Sequence, residues 1–348
     1  MYTIIIPTLE RHKLLHRSIS YYKNFPCEIL VADSSQEEMK YNFPANVVYK
    51  HLPGLSYPKK ILEVAKLVTT PYVVLTGDDD YFLKSALNEG VIFLNKNSDF
   101  VSVQGTYFKF EFIENHISIS QKYSKESSSY SAVGNDISSR VIKAFNPYMH
   151  HFYAMHRTDV LIDSFRACTD TNYCYATEWV TILTSMCYGK HTTLPVLWLI
   201  RDSHKYFRPN VSMDSKKAPT NPILGFFDIH GHQQMLKEVD DFLKSKDGQL
   251  TKVKFGDVIS DLVNDRAESN KIFKTAFKSF HDGLIKGRNK TIIKKIIKLF
   301  IPTWLLSYYK SKINNKIANL KQKNTSTENE INDIKLSIEA FPEIYNKL

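Results

Sequence analysis

Tyr72-Val73-Val74-Leu75-Thr76-Gly77-Asp78-Asp79-Asp80-Tyr81-Phe82 is the stretch on which the reading of this 348-residue chain turns. Tyr72–Leu75 has the β-branched and aromatic content of a buried strand. It stops at Thr76-Gly77, and three consecutive carboxylates follow. Like charges packed this closely at a strand end raise one another's pKa unless a cation or a set of donors neutralises them. All-oxygen ligands suit a hard divalent ion, Mn²⁺ or Mg²⁺, which often also carries substrate phosphates. The same letters equally describe a turn and a helix N-cap, with Asp79 or Asp80 capping the segment from Phe82 onward. Spacing alone does not separate the two.

Upstream, strands alternate with helical patterns. Tyr2–Ile6 is an apolar run ending at Pro7, and Leu14, Leu15 and Ile19 carry helical spacing. Glu28–Ala32 is a second strand, ending at Asp33-Ser34-Ser35, and Val47–Tyr49 is a third. Pro53–Ser56 turns the chain into a helix over Lys59–Val68. This alternation predicts an α/β fold with a mostly parallel sheet flanked by helices. In such sheets ligands bind outside the carboxyl ends of strands. Those ends here carry Thr8, Glu10 and Arg11, then Asp33, then Asp78–Asp80.

No Gly-x-Gly-x-x-Gly follows the first strand and no Walker-type Gly-Lys-Ser/Thr occurs, which disfavours dinucleotide oxidoreductases and phosphate-loop nucleotidases. Cys27, Cys168, Cys174 and Cys187 form no CxxC pair and read as reduced thiols. Met1-Tyr2-Thr3 leads straight into a strand without a basic leader. No segment reaches the ~18–20 apolar residues that cross a bilayer. These features predict a cytoplasmic protein.

Taken in order, Ile4–Arg11 (Ile-Ile-Ile-Pro-Thr-Leu-Glu-Arg), Leu30–Ser35 (Leu-Val-Ala-Asp-Ser-Ser) and the Tyr72–Asp80 stretch resemble the nucleotide-sugar half of family 2-type glycosyltransferases, the GT-A fold. The resemblance is good over residues 1–100 and looser to Arg208. It implies a nucleotide-sugar site made of Pro7, Thr8, Glu10, Arg11, Asp33, Lys59, Lys60, Asp78 and Asp79. A carboxylate at Asp33 suits the imino hydrogen of uracil, which favours a UDP-linked donor. Lys59 or Lys60 falls where the family has a basic residue near the diphosphate. Asp78-x-Asp80 matches the family's DxD pattern for a divalent metal, although Asp79-Asp80 is also in register. His204 is a further metal candidate, with His150 and His151 behind it. The family's catalytic acid at the start of the acceptor-side helix matches Glu178 in Tyr175–Trp179, with Asp170 as substitute. The implied reaction inverts the anomeric configuration.

Residues 99–112 alternate like two strands, Asp99–Gly105 and Thr106–Phe112. Ser118–Ser139 reads as a mobile or acceptor-facing loop, and Leu194–Arg201 as a strand. The catalytic domain is expected over 1–222, with a helical region over 223–348.

The net charge of +10 has one source: no acid occurs between Gly283 and Thr327, while Lys and Arg recur throughout. Within this 283–323 basic segment, Ile292, Ile293, Ile296, Ile297, Leu299 and Phe300 share one helical face and Lys290, Lys294, Lys295 and Lys298 the other. Trp304, Tyr308 and Tyr309 follow Pro302. That pattern fits an anchor on an anionic membrane surface, at the inner face of the cell membrane. No nucleic-acid motif accompanies the charge. A helix with Ile331, Ile334 and Ile338 on one side should pack on the body or on another subunit. The expected partners are thus a nucleotide-sugar donor and a glycan or lipid-linked glycan acceptor (capsule, O-antigen or lipooligosaccharide). The rival readings are a sugar nucleotidyltransferase, for which no Gly-rich, Arg-containing loop is found, and a non-catalytic scaffold.

Overall fold

The computed structural model describes residues 1–113, 116–121, 130–135, 139–140, 143–144, 151–168, 174–203, 325–341 and 344. The elements begin with β1 (Tyr2–Thr8), α1 (His12–Tyr22), β2 (Glu28–Asp33), β3 (Val47–His51), α2 (Tyr57–Ala65), β4 (Tyr72–Leu75) and β5 (Tyr81–Phe82). They continue with α3 (Lys84–Lys96), β6 (Phe100–Ile113), β7 (His116–Gln121), β8 (Ser131–Ala132) and β9 (Met155–Arg157). Last come α4 (Thr158–Arg166), α5 (Cys174–Tyr188), β10 (Lys190–Asp202) and α6 (Thr325–Glu339).

The strands form one sheet in the order β3-β2-β1-β4-β9-β6-β10-β5, with β7 on β6 and β8 on β10. It is parallel through β3, β2, β1 and β4. Beyond β4 it is mixed: β9 runs antiparallel to both β4 and β6, and β10 runs parallel to β6. This is the α/β sheet that the sequence predicts, flanked by helices and followed by a C-terminal helix.

Strand alternation sends neighbouring residues to opposite faces, and here both faces are covered. Ile4, Ile6, Ile29, Val31 and Val74 join one core with Leu15, Ile19 and Tyr22 of α1 and Leu87 of α3. Ile5, Leu30, Ala32, Val73 and Leu75 join the other with Ile61 and Val64 of α2 and Leu161 and Phe165 of α4. Each fully buried branched side chain contributes about 1.5–3 kcal/mol. The parallel strands are therefore fixed from two sides, and their carboxyl ends are held on a rigid edge.

Three local expectations change. Residues 100–113 form one strand, not two. Gly105, the end of the first expected strand, lies within it, where a Cβ would stand 2.6 Å from the Val196 carbonyl oxygen; the pairing with β10 shifts register beside it. In the expected loop at 118–139, Ser118–Gln121 belongs to β7 and Ser131–Ala132 to β8. The helix expected over Lys59–Val68 runs over Tyr57–Ala65, with Pro58 in its first turn.

The C-terminal helix packs on the body. α6 lies against α1 and α3, and its Ile334 and Ile338 are fully buried in the first core. The expected domain boundary at 222/223 and the 283–323 basic segment lie outside the described residues. No described helix is long and apolar enough to cross a membrane.

Candidate functional site

The parallel register sets the site. Thr8 at the end of β1 pairs with Asp33 at the end of β2, and β4 runs beside β1 up to Leu75. Thr76 N then donates to Ile5 O at 3.0 Å, so the acidic triplet emerges next to Thr8. The triplet is a turn, with Asp80 N donating to Gly77 O at 3.3 Å. It does not cap α3: the position before that helix is Leu83, which offers no side-chain cap. The helix-cap reading of Asp79 and Asp80 is thereby excluded.

Each carboxylate has distinct partners. Asp78 is 3% exposed; it accepts from Thr8 Oγ1 at 2.7 Å and pairs with Arg11 at 3.2 Å. Arg11 also pairs with Asp79 Oδ2. Asp80, 1% exposed, accepts from Arg201 Nε at 3.2 Å and Asp202 N at 3.1 Å. Arg17 is fully buried behind them, donating to Asp202 Oδ2 at 3.1 Å and to the Asp79 carbonyl at 3.4 Å. Burial pushes the Asp78 carboxyl up to about 7, and Asp79 adds to the rise, while Arg11, Thr8 and Lys60 oppose it. Arginines and a hydroxyl are thus the donors the sequence argument demanded for three adjacent acids. Gly77 lets the carboxylates fold back over the turn, since a Cβ there would stand 2.6 Å from Asp79 Oδ1.

The two lysines separate sharply. Lys59 is exposed. Lys60 is 3% exposed, and its Nζ donates to Thr8 O at 2.5 Å and Ser34 Oγ at 3.0 Å. It ties the β1 end to the β2 end from below. Burial lowers Lys60 to about 8, although Asp78 and Asp33 favour its charge.

Asp33 is fully buried and is not a helix cap, since the next element is β3. Burial opposes its ionisation, but hydrogen bonds from Ser35, Tyr49 and His12 outweigh it and hold the carboxyl below its ordinary value. The loop above is pinned as well. Glu10 has φ of 53°, a left-handed conformation that is costly for a residue with a Cβ. It is held there by Glu10 N donating to Ser35 Oγ at 2.7 Å and Gln36 N donating to Glu10 Oε1 at 2.6 Å. Pro7 is half-buried within β1.

Glu178 is half-buried in the first part of α5 and does not enter the described network around the triplet. His151 is buried, its ring stacks on His191 at 3.8 Å and its Nε2 lies 2.9 Å from the Tyr130 hydroxyl oxygen, in a histidine cluster with no described link to the triplet. His204, His150 and Asp170 lie outside the described residues. Sequence reasoning missed Arg201 and Asp202, which adjoin His204, and Arg17 and His12. The available signal was Arg17 on the otherwise apolar face of α1.

Among the described residues no three His, Cys, Asp or Glu side chains group to hold a metal unaided. The triplet still fits a shared cation: its donors are all oxygen, and Asp79 Oδ1 accepts no hydrogen bond from the described protein groups. One or two carboxylates plus substrate phosphates is a common way to hold Mg²⁺.

No protein-family model and no curated protein matches the chain. Among solved structures it is similar to S. aureus TarS. Residues 1–349 of TarS in complex with UDP-GlcNAc align at 14% identity with a TM-score of 0.48, covering 79% of each chain. The same fragment in complex with UDP aligns at 13% identity and TM-score 0.43, covering 81% of this chain and 91% of that one. A longer TarS structure aligns at 13% identity and TM-score 0.43, over 79% of this chain and 55% of its own.

Proposed function

We propose that this chain is a glycosyltransferase that moves a sugar from a nucleotide-sugar donor, UDP-linked, to an acceptor hydroxyl. The observation that supports it is the convergence of three neighbouring parallel strand ends on one network, in which Thr8 joins Asp78 at 2.7 Å and Lys60 joins Thr8 to Ser34 beside Asp33. Nucleotide and diphosphate sites of α/β sheets lie at such an edge.

Asp78, Asp79 and Asp80 would hold a divalent cation, Mn²⁺ or Mg²⁺, which when bound supplies charge neutralisation to the leaving diphosphate. The protein's own groups do the rest. Arg11 and Thr8 hold the triplet in register. Lys59, the exposed member of its pair, would meet a phosphate, whereas Lys60 braces the edge. Glu178 takes the proton from the acceptor hydroxyl as its oxygen bonds to the anomeric carbon. The anomeric carbon–phosphate oxygen bond breaks, and the nucleoside diphosphate leaves with the electron pair. Attack opposite the leaving group inverts the centre. The acceptor proposed is a cell-surface glycan on a lipid carrier, reached at an anionic membrane through the 283–323 basic segment.

A thermal-shift panel of nucleotide sugars with and without Mn²⁺ tests the donor and the cation together. A UDP-sugar should raise Tm by several degrees only with Mn²⁺, by mass action. Glu178→Gln should keep that shift and lower transfer by about 10²–10⁴-fold. No stabilisation by any nucleotide sugar would sink the proposal, and full turnover by Glu178→Gln would remove the base.

A further inference from the structure

Asp33 has no hydrogen-bonding capacity left for a ligand. Its Oδ1 accepts from Ser35 N at 2.8 Å and from Ser35 Oγ. Its Oδ2 accepts from Tyr49 OH at 2.7 Å and His12 Nε2 at 2.8 Å. A carboxylate offers about four lone-pair sites, and all are taken by protein groups in a residue with 0% exposure. A ring N–H approaching Asp33 directly would have to evict one of these donors. Ser35 is locked from behind, because its hydroxyl also accepts from Glu10 N. Tyr49 is locked too, since its hydroxyl accepts from Met39 N at 2.9 Å.

His12 is different. It opens α1 at the mouth of the β1 loop, and its side chain keeps 31% of its surface exposed against 0% for Asp33. With Nε2 donating to the ionised carboxylate, the neutral imidazole keeps its lone pair on Nδ1. No described protein group donates to Nδ1. The Asp33–His12 pair thus transfers the acceptor character of a sealed carboxylate to an imidazole that is partly exposed at the same edge.

We propose that His12 is the specificity-determining residue for the donor's base, its Nδ1 accepting the ring N–H of a uracil-type pyrimidine, and that Asp33 is a positioning residue that holds the imidazole. The assignment rests on the nucleotide-sugar reading given above. It has a definite chemical consequence. Uracil carries a hydrogen on N3, whereas cytosine presents a bare lone pair there. Nδ1 therefore meets a donor in one base and a second acceptor in the other.

The test is calorimetric titration of the full chain, in Mn²⁺, with uridine diphosphate and with cytidine diphosphate. Wild type should prefer the uridine nucleotide by about tenfold or more, the value of one hydrogen bond between matched groups. His12→Gln keeps an amide N–H for Asp33 but loses the acceptor at the Nδ1 position, so the ratio should fall to near one. His12→Phe, which removes both nitrogens, should do the same. His12→Asn returns an oxygen near the Nδ1 position and should recover part of the ratio, which a merely structural role for His12 would not produce. An unchanged ratio in His12→Gln or His12→Phe overturns the assignment, as does a ratio lost only in Asp33→Asn. A wild type that binds both nucleotides equally overturns it while leaving the donor class standing. A wild type that binds neither overturns the donor reading as well.

Discussion

The Lys60 ammonium sits between Thr8 O at 2.5 Å and Ser34 Oγ at 3.0 Å, so its charge braces two strand ends, whereas the side chain of Lys59 is in solvent. The two are adjacent in a helix and point about 100° apart, a consequence of 3.6 residues per turn. Lys60→Met should lower stability by about 1–3 kcal/mol, because Thr8 O and Ser34 Oγ lose a buried donor. Lys59→Met should stay within about 0.5 kcal/mol of wild type. Urea unfolding of the two variants checks this, and equal losses would deny Lys60 its bracing role. The resemblance read from the sequence implies a diphosphate role for either lysine. It does not show which one is buried, because that depends on Thr8 and Ser34, fifty-two and twenty-six positions away.

At the scale of elements, α3 begins without a cap of its own. Its N-terminal neighbour is Leu83, and the missing acceptor comes from α6, where Glu330 Oε1 and Oε2 accept from Ser85 N at 3.1 and 3.3 Å. A carboxylate here also meets the positive end of the helix dipole. Glu330→Ala should lower stability by about 1 kcal/mol, and Glu330→Gln by less, read as a shift of the urea midpoint at constant m-value. A midpoint unmoved in Glu330→Ala would mean that α6 does not cap α3. The isoleucine spacing of α6 was legible, as was its need for an apolar surface. The surface it uses was not: α1 and α3 are more than two hundred residues earlier in the chain.

For the whole molecule, the described chain leaves the sheet at Ser203, whose N donates to Phe110 O at 3.2 Å, and is fixed to the body again at α6. The 283–323 segment therefore ends two residues before a docked helix. Truncation beyond Gly283 would remove Ile334 and Ile338 from the core along with the lysines, and so would confuse folding with binding. The cleaner variant keeps the full chain and replaces Lys290, Lys294, Lys295 and Lys298 with Gln. At roughly 1 kcal/mol per lysine near an anionic surface, its affinity for phosphatidylglycerol vesicles should fall by about a thousandfold. Equal co-sedimentation of wild type and variant would remove the membrane anchor.

Over β1 to β4 the sequence by itself determined which segments become strands and helices, and which strand ends carry acids. These are local properties: hydrophobic period and turn chemistry act over a few residues, and a fully buried parallel strand such as Tyr2–Ile6 announces itself by composition. Tertiary structure alone decided how each polar group is used. Asp33 is sealed by Tyr49 and His12, Asp80 is held by Arg201, and Lys60 is drawn under Thr8, through contacts between residues far apart in the chain. A buried polar atom takes whatever donor or acceptor the packed fold brings within about 3 Å, and no short stretch of sequence records that partner.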